Sequence, residues 1–364
     1  MSKFYRPSWA EIRLDHILHN YRIATKHRED KTIIPVIKAN AYGHGDIEVM
    51  KYLKKHGVMI FAISLLEEGI RLRKKDQDIE ILMLGPIQKN ELKIASKFKI
   101  DITIYDEAIL ESILSTSYPL NCHLKIDTGM SRYGLSNELT IHQAVLRMSN
   151  HQTAVLKGIY THFATANDQN EHYFMQLKTM QNLIGTLKFK PPMIHMSNSA
   201  SIFYQEQHLK ETTHARLGIS LYGHTLDDLN IDLKEAMVLK SKIVTIKTLK
   251  KGDKVGYGAT YEAKENQEKI AIIPIGYADG FLRKNKHGYV EIHGKRYKLV
   301  GIICMDACFI KIDDTIKVGD VVTLFGGLIK TSEVAKRCQT IPYEILTSIS
   351  YRIPRIYIEG GIYD

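Results

Sequence analysis

Between about residue 30 and residue 222, eight short apolar runs alternate with longer stretches of helical spacing, and this alternation limits the fold more than any other feature of the chain. The runs are TIIPVIK, VMIFAIS, IEILMLG, IDITIYD, CHLKIDTG, LKGIYTHFA, PMIHMSNS and HARLGISLYG. They are branched, apolar and too short for helices, as fully buried strands are. Between them DIEVMKYLKKHG, EAILESILSTS and EHYFMQLKTMQNLIGTLK place apolar residues at helical spacing. Eight strands and seven intervening helices, after a helix-like stretch EIRLDHILHNYRIATKH, predict an α/β fold of the (β/α)8 TIM-barrel type. After about residue 235 the texture changes to strand-and-turn units, with KKGDK, HGK and KVGD as turns. This predicts an antiparallel, all-β module. The boundary falls between Asp232 and Met237, giving a barrel over 1–235 and a β-domain over 236–364.

Several function classes are disfavoured. No apolar run approaches the ~20 residues a membrane-spanning helix needs, and MSKFYRPSWAEIRLD lacks the apolar centre of a secretory signal. Cys122, Cys304, Cys308 and Cys338 lack the CxxC spacing of a zinc or redox site, so no metal is expected and reduced thiols in a cytoplasm are. The net charge is +10, yet the lysines are interleaved with acids and no nucleic-acid motif accompanies them. A solvated basic surface, with a modest field favouring an anionic cofactor or substrate, is the better reading.

The candidate chemistry begins at VIKANAYGHG, residues 36 to 45. Lys38 follows a buried strand directly, where a lysine has no solvated face. Held partly desolvated, it can lose its proton near neutral pH and form a Schiff base with a carbonyl; the plainer reading is a lysine that closes the strand and snorkels to water. The active face of a barrel lies at the C-terminal ends of its strands. Those positions hold Lys38, Arg132, His162, Ser199 and the run Arg216 to Ile219. Taken singly, Ser199 is an N-cap of ASIFYQEQ, Gly218 a packing glycine, His162 a core histidine and Arg132 a partner of Asp127. Together, a lysine imine on one side and a phosphate cradle on the other suggest pyridoxal 5′-phosphate (PLP).

VIKANAYGHG, KIDTGMSRYG, YTHFATA, NSAS, RLGISLYG, VGYGATY, GYADGF, CMD and YEILTSISYRIPR together resemble bacterial alanine racemases over essentially the whole length. The resemblance implies a fold-type III PLP enzyme acting as a homodimer with shared active sites. It implies that Lys38 holds PLP, that Tyr42, Asn198, Ser199, Gly218, Ile219 and Tyr351 surround its phosphate, and that Arg216 contacts the ring nitrogen. Racemisation needs proton carriers on opposite faces of the substrate. The resemblance gives these roles to Lys38 and to Tyr257 of the other subunit's β-domain, with His162 and Arg216 linked to that tyrosine. A phenol of ordinary pKa ~10 is a poor base at pH 7 and needs such neighbours. Arg132 and Met305, with Asp306 alongside, would bind the substrate carboxylate. Tyr277, Tyr351 and Met305 would crowd its side chain, favouring alanine. Lys125 matches a lysine often carbamylated in the family; pairing with Asp127 is the plainer alternative.

The chain departs from the family pattern at Ile302, where an arginine is usual, at Ala307, where a glutamine is, and at Leu282, where a proline is. None of these touches the proposed bases or the phosphate site. The expected activity is interconversion of L- and D-alanine in the cytoplasm for peptidoglycan, with no nucleic-acid or membrane partner. The competing readings are a serine or broad-spectrum racemase and a non-catalytic PLP carrier.

Overall fold

The residues read as the start of a helix form a strand first. In the computed structural model, which describes residues 5–204, 210–225 and 230–360, Ser8–Arg13 is strand β1 and a helix runs from Leu14 to His27. SWAEIR buries every second residue, Ser8, Ala10 and Ile12, which is the period of a strand and not of a helix.

The eight apolar runs supply β2 (Thr32–Pro35), β3 (Ile60–Ile63), β4 (Glu80–Met83), β5 (Ile102–Ile104), β6 (Leu120–Lys125), β7 (Ala154–Tyr160), β8 (Met193–His195) and β9 (His214–Leu217). β2, β9, β8, β7, β6 and β5 form one parallel sheet in that order, and β3 pairs with β4. Parallel bridges from Val36 to Ala62 and from Leu82 to Asp101 join the two sheets into a closed ring. The expected barrel is therefore present. β3, β5 and β8 are buried along their full length, as strands covered on both faces must be. The helix Glu138–Ser149 covers the ring with Ile141, Ala144, Val145 and Met148, spaced to fall on one face. Side chains of Asp106, Asn137 and Asn170 accept backbone N–H groups at helix starts, each worth about 1 kcal/mol.

The chain divides into two compact units. One comprises Ile17–Ala41 and Asp46–Leu233 and contains the barrel; the other comprises Met1–His16, Tyr42–Gly45 and Lys234–Asp364. The second unit has β10 (Met237–Lys242), β11 (Thr245–Leu249), β12 (Lys254–Val255), β13 (Tyr261–Glu262), β14 (Glu268–Ile273), β15 (Tyr289–Ile292), β16 (Lys295–Val300), β17 (Cys308–Ile312), β18 (Val321–Phe325) and β19 (Arg355–Ile358). Nine strands make one sheet in the order β11-β14-β17-β16-β15-β18-β10-β1-β19, antiparallel except where β1 meets β19. The expected mostly antiparallel β-domain is present, and within it Thr331–Cys338 and Pro342–Ser348 are helices. Val334, Ala335 and Cys338 bury one helical face, and Pro342 opens the second helix at its first turn, where its missing N–H costs nothing. No helix among the described residues is long and apolar enough to cross a membrane.

Candidate active site

Past β2 the backbone turns the unusual way. Ala39, Asn40, Ala41 and Tyr42 all have φ between 52° and 56°, one left-handed turn built from non-glycine residues. Such a turn costs roughly 1–2 kcal/mol per residue. It is held by Ala41 N–H on the Ile37 carbonyl (2.8 Å), by Ala39 N–H on Glu68 Oε1 (2.6 Å) and by Asp46 N–H on Asn40 Oδ1 (3.2 Å). Glu68 Oε2 also accepts the N–H groups of Ser64 and Leu65, so one buried carboxylate fixes both the helix Leu66–Arg73 and the residue after Lys38. Lys38 is thereby held at the C-terminal mouth of the ring. Burial, with Arg132 and Arg216 nearby, lowers its pKa, and Glu68 opposes that shift.

Lys38, Lys125, Arg132, His162 and Arg216 influence one another electrostatically. Lys125 ends β6 only 4% exposed, with its ammonium 4.8 Å from the centre of the Tyr160 ring. Burial, followed by Arg216 and Arg132, pushes its pKa down to about 7. The alternative pairing with Asp127 does not occur: Asp127 Oδ1 accepts the N–H groups of Gly129, Met130 and Ser131 at 2.9–3.0 Å. For the same reason Arg132 does not pair with Asp127. Its guanidinium is exposed and has no ion pair among the described residues. His162, partly buried, is pushed well below its ordinary pKa by burial and the surrounding cations, Arg216 foremost.

Arg216 is 3% exposed and faces no carboxylate among the described residues. Its Nη1 donates to His195 Nδ1 (2.6 Å) and the His195 carbonyl (3.0 Å). Its Nη2 donates to the carbonyls of Thr161 (2.7 Å) and Met196 (3.1 Å), with His162 Nδ1 at 3.4 Å. Burial lowers its pKa to about 10, so it stays charged at neutral pH. Four of its five N–H donors are thus committed, and Nε–H remains.

Ser199 is not the N-cap. Asn198 is, its side-chain oxygen accepting Ser201 N–H (3.2 Å) while its Nδ2 reaches the Phe163 carbonyl (3.5 Å). Ser199, the first helical residue, accepts N–H groups from Gly218 (2.8 Å) and Ser220 (3.3 Å) through Oγ, and its own O–H remains to donate. Ile219 opens a 3-10 turn, so its N–H has no partner within that turn. These donors fit PLP on chemistry alone: an O–H and an N–H for phosphate, a cationic N–H for a ring nitrogen and a desolvated amine for an aldehyde. Among the described residues no group of three His, Cys, Asp or Glu side chains could hold a metal.

The remaining expected residues lie in the other unit. Tyr42 is buried, its ring 5.8 Å from Tyr343. Next to it, Gly43 adopts φ 86°, and a Cβ there would fall 2.4 Å from the Leu346 carbonyl oxygen. Tyr257 opens a turn between Gly256 and Gly258 and is 70% exposed. Tyr277 N–H donates to the Cys304 carbonyl and Ala278 N–H to that of Met305, which sets Tyr277 beside Met305. Asp306 pairs with Arg352 (2.5 Å), whose neighbour Tyr351 is 94% exposed.

Sequence reasoning missed three supporting residues, Glu68, Gln176 and Arg355, and gave Asp127 the wrong partners. Glu68 and Asp127 carry local signals, a glutamate three residues into a helix start and an Asx-type turn in DTGMS. Gln176 donates to the His162 carbonyl (3.1 Å) and to Thr128 Oγ1 (3.2 Å), and Arg355 donates to the carbonyls of Gly43, Ile349, Ser350 and Ile353. Both act across long stretches of chain and leave no local signal.

Known proteins resemble this chain over nearly its whole length. Residues 12–226 match the family model of the alanine racemase N-terminal domain, and residues 236–357 that of its C-terminal domain. An alanine racemase of Anoxybacillus flavithermus is 40% identical over 373 residues, covering 98% of this chain and 96% of that one. The solved alanine racemase of Clostridium difficile superposes with a TM-score of 0.92 at 38% identity, over 98% of this chain and 97% of that chain. A histidine racemase of Leuconostoc mesenteroides superposes with a TM-score of 0.90 at 27% identity, over 98% and 99%. With both domains matched in order and its relatives covered nearly end to end, the chain belongs to the alanine racemase family of PLP-dependent isomerases.

Proposed function

We propose that the chain interconverts L- and D-alanine with Lys38 and Tyr257 as the two proton carriers. When bound, PLP withdraws electron density from the α-carbon of the amino acid, so that its hydrogen leaves as a proton. Lys38, its pKa lowered by burial and by Arg132 and Arg216, accepts or returns that proton at Nζ. Tyr257 Oη serves the opposite face. Ser199, Ile219, Gly218, Asn198, Tyr42 and Tyr351 hold the phosphate end, and Arg216 directs Nε–H at the ring nitrogen. Arg132, with no ion pair among the described residues, takes the substrate carboxylate in its planar fork, with Met305, Asp306 and Tyr277 beside it. Lys125, its pKa lowered to about 7 by burial and by Arg216 and Arg132, is a free amine near neutral pH and can add CO2, releasing a proton and leaving a carbamate between Arg132 and Arg216.

Apart from β1, residues 1–235 supply most of the groups that hold the cofactor, and residues 236–364 add Tyr351 and carry Tyr257 to a second copy of the chain. Tyr257, at 70% exposed, is a large side chain left in water by its own subunit, which suits a residue that completes a neighbour's site. The product D-alanine would serve peptidoglycan in the cytoplasm.

The observation that carries the reading is that the amine of Lys38 and the uncommitted Nε–H of Arg216 meet at one mouth of the barrel. Purified protein should absorb near ~420 nm with PLP and racemise both alanine enantiomers by chiral chromatography. Lys38→Ala should abolish both properties. Tyr257→Phe should keep the colour and lose turnover preferentially in one direction; equal residual rates both ways would count against the pair. A broader amino-acid racemase is the second reading, favoured by the likeness to the histidine racemase. Rates on L-serine, L-lysine and L-histidine comparable to that on L-alanine would establish it.

A further inference from the structure

The interior of the barrel holds ionisable groups that the proposed chemistry does not use. They form a column from the mouth that carries Arg216 to the opposite strand ends. Arg216 Nη1 lies 2.6 Å from His195 Nδ1, and His195 Nε2 lies 3.1 Å from His123 Nδ1. His123 Nε2 has no hydrogen-bond partner and faces Asp101 Oδ2 at 3.8 Å. Asp101 pairs with Lys157 (2.8 Å), and Lys157 with Glu80 (2.5 Å) at the start of β4. His195 and His123 are fully buried, and Asp101 is 4% exposed.

The chain makes room for this column at some cost. A Cβ at Gly158 would fall 2.2 Å from His123 Nδ1, so only glycine admits that ring. The register of β6 against β7 shifts at Cys122/His123. Tyr160 stacks on His195 with centroids 4.6 Å apart and planes 6° apart.

Only one arrangement of protons fits. An arginine always donates, so His195 Nδ1 carries a lone pair and its proton sits on Nε2. That N–H points at His123 Nδ1, which must then accept, placing the second proton on His123 Nε2, toward the carboxylate. Either imidazole in its charged form, or in the other tautomer, would set two donors against each other. We infer that Asp101, His123 and His195 are positioning residues that impose one hydrogen-bond direction on the barrel interior, so that Arg216 is held with its Nε–H free for the cofactor ring. The last clause rests on the function proposed above; the direction of the column does not. Burial keeps both imidazoles neutral, lowering the pKa of each despite Asp101 beside His123. The other charged or titratable groups facing His123 are Lys157, Glu80 and His214.

The test uses the cofactor-free protein first. Long-range 1H–15N correlation on histidine-labelled protein at pH 7 should show His195 and His123 neutral, each protonated on Nε2. An Nδ1–H tautomer or an imidazolium at either position overturns the inference. His123→Phe removes the acceptor and keeps most of the volume. Arg216 still holds His195 in the Nε2–H tautomer, but that N–H loses its acceptor: its proton resonance should move upfield, and the loaded enzyme should lose roughly tenfold in kcat, the equivalent of one hydrogen bond, with KM for alanine within about twofold. An unchanged His195 Nε2–H resonance with unchanged kcat refutes the inference. If His123→Phe does not fold, Asp101→Leu takes the carboxylate from His123 Nε2–H instead: that resonance should move, with the same loss in kcat, while Lys157 keeps Glu80. A chain that takes up no PLP would sink the functional reading while the NMR still decides the column.

Discussion

Replacing Lys125 by methionine should stabilise the cofactor-free protein below pH 7 and change little above pH 10. The lysine is 4% exposed, sits 4.8 Å above the Tyr160 ring and has no carboxylate partner, while Arg216 and Arg132 repel it. Its pKa falls from an ordinary 10.5 to about 7. At ~1.4 kcal/mol per pKa unit, that drop is about 5 kcal/mol, the ceiling on what its charge costs the folded state. The folded pKa lies below the unfolded one, so between pH 7 and 10.5 the unfolded chain binds the extra proton and wild-type stability rises with pH. Above 10.5 both states are neutral and the cost is gone. Methionine keeps the stem and volume without the charge. The variant should therefore exceed wild type by several kcal/mol at pH 6, and the gap should close toward pH 10. Urea unfolding of both proteins in CO2-free buffer at the two pH values measures this. Added bicarbonate should stabilise wild type alone, because a carbamate replaces the repelled cation with an anion between two arginines. A gap that is the same at both pH values, or a variant less stable at pH 6, would refute the reasoning.

Glu68→Gln should cost roughly 2–5 kcal/mol in urea unfolding, since three backbone N–H groups lose a charged acceptor and an amide must turn its NH2 toward one of them. The same change removes the one group that raises the Lys38 pKa, so the amine should titrate at lower pH; a basic-side shift in the pH–rate profile would contradict the site electrostatics. Arg355→Met should cost about 2–4 kcal/mol by releasing four carbonyls that tie Gly43 to the segment Ile349–Ile353. It should also weaken PLP binding, read by fluorescence titration, because Tyr42 and Tyr351 border the two ends of that clamp.

The barrel was legible because its strands must be apolar on both faces. TIIPVIK or VMIFAIS can satisfy little else, and the closed parallel ring follows from their number and the helical stretches between them. β1 was not legible. SWAEIR runs without a glycine or proline into a strongly helical sequence, and its strand character comes from partners more than 200 residues away, Ser241 to Met237. TSEVAKRC and PYEILTS were missed because short helices flanked by strands have too few turns to show a period. The left-handed turn after Lys38 was masked by its residues. Alanine and asparagine at φ above 50° are chosen by Glu68 and the Ile37 carbonyl, not by their own preference.

The site divides along the same physical line. Residues that face a ligand sit at strand ends, where polar side chains interrupt apolar runs, so Lys38, Arg132, His162, Ser199 and Arg216 stand out in the sequence. Residues that hold those side chains in place are buried inside the runs. His123 and His195 interrupt β6 and β8, yet a histidine in a strand reads equally well as a satisfied core residue. Only the geometry distinguishes the two, since the 2.6 Å and 3.1 Å contacts and the unpartnered His123 Nε2 align three residues from three strands. A mouth lined by Lys38, Lys125, Arg132 and Arg216 with few acids is unfavourable while empty of anions. That cost is tolerable only if anions are usually present, and a phosphate at one end with a carboxylate at the other supplies them where Ser199 and Arg132 are free to donate.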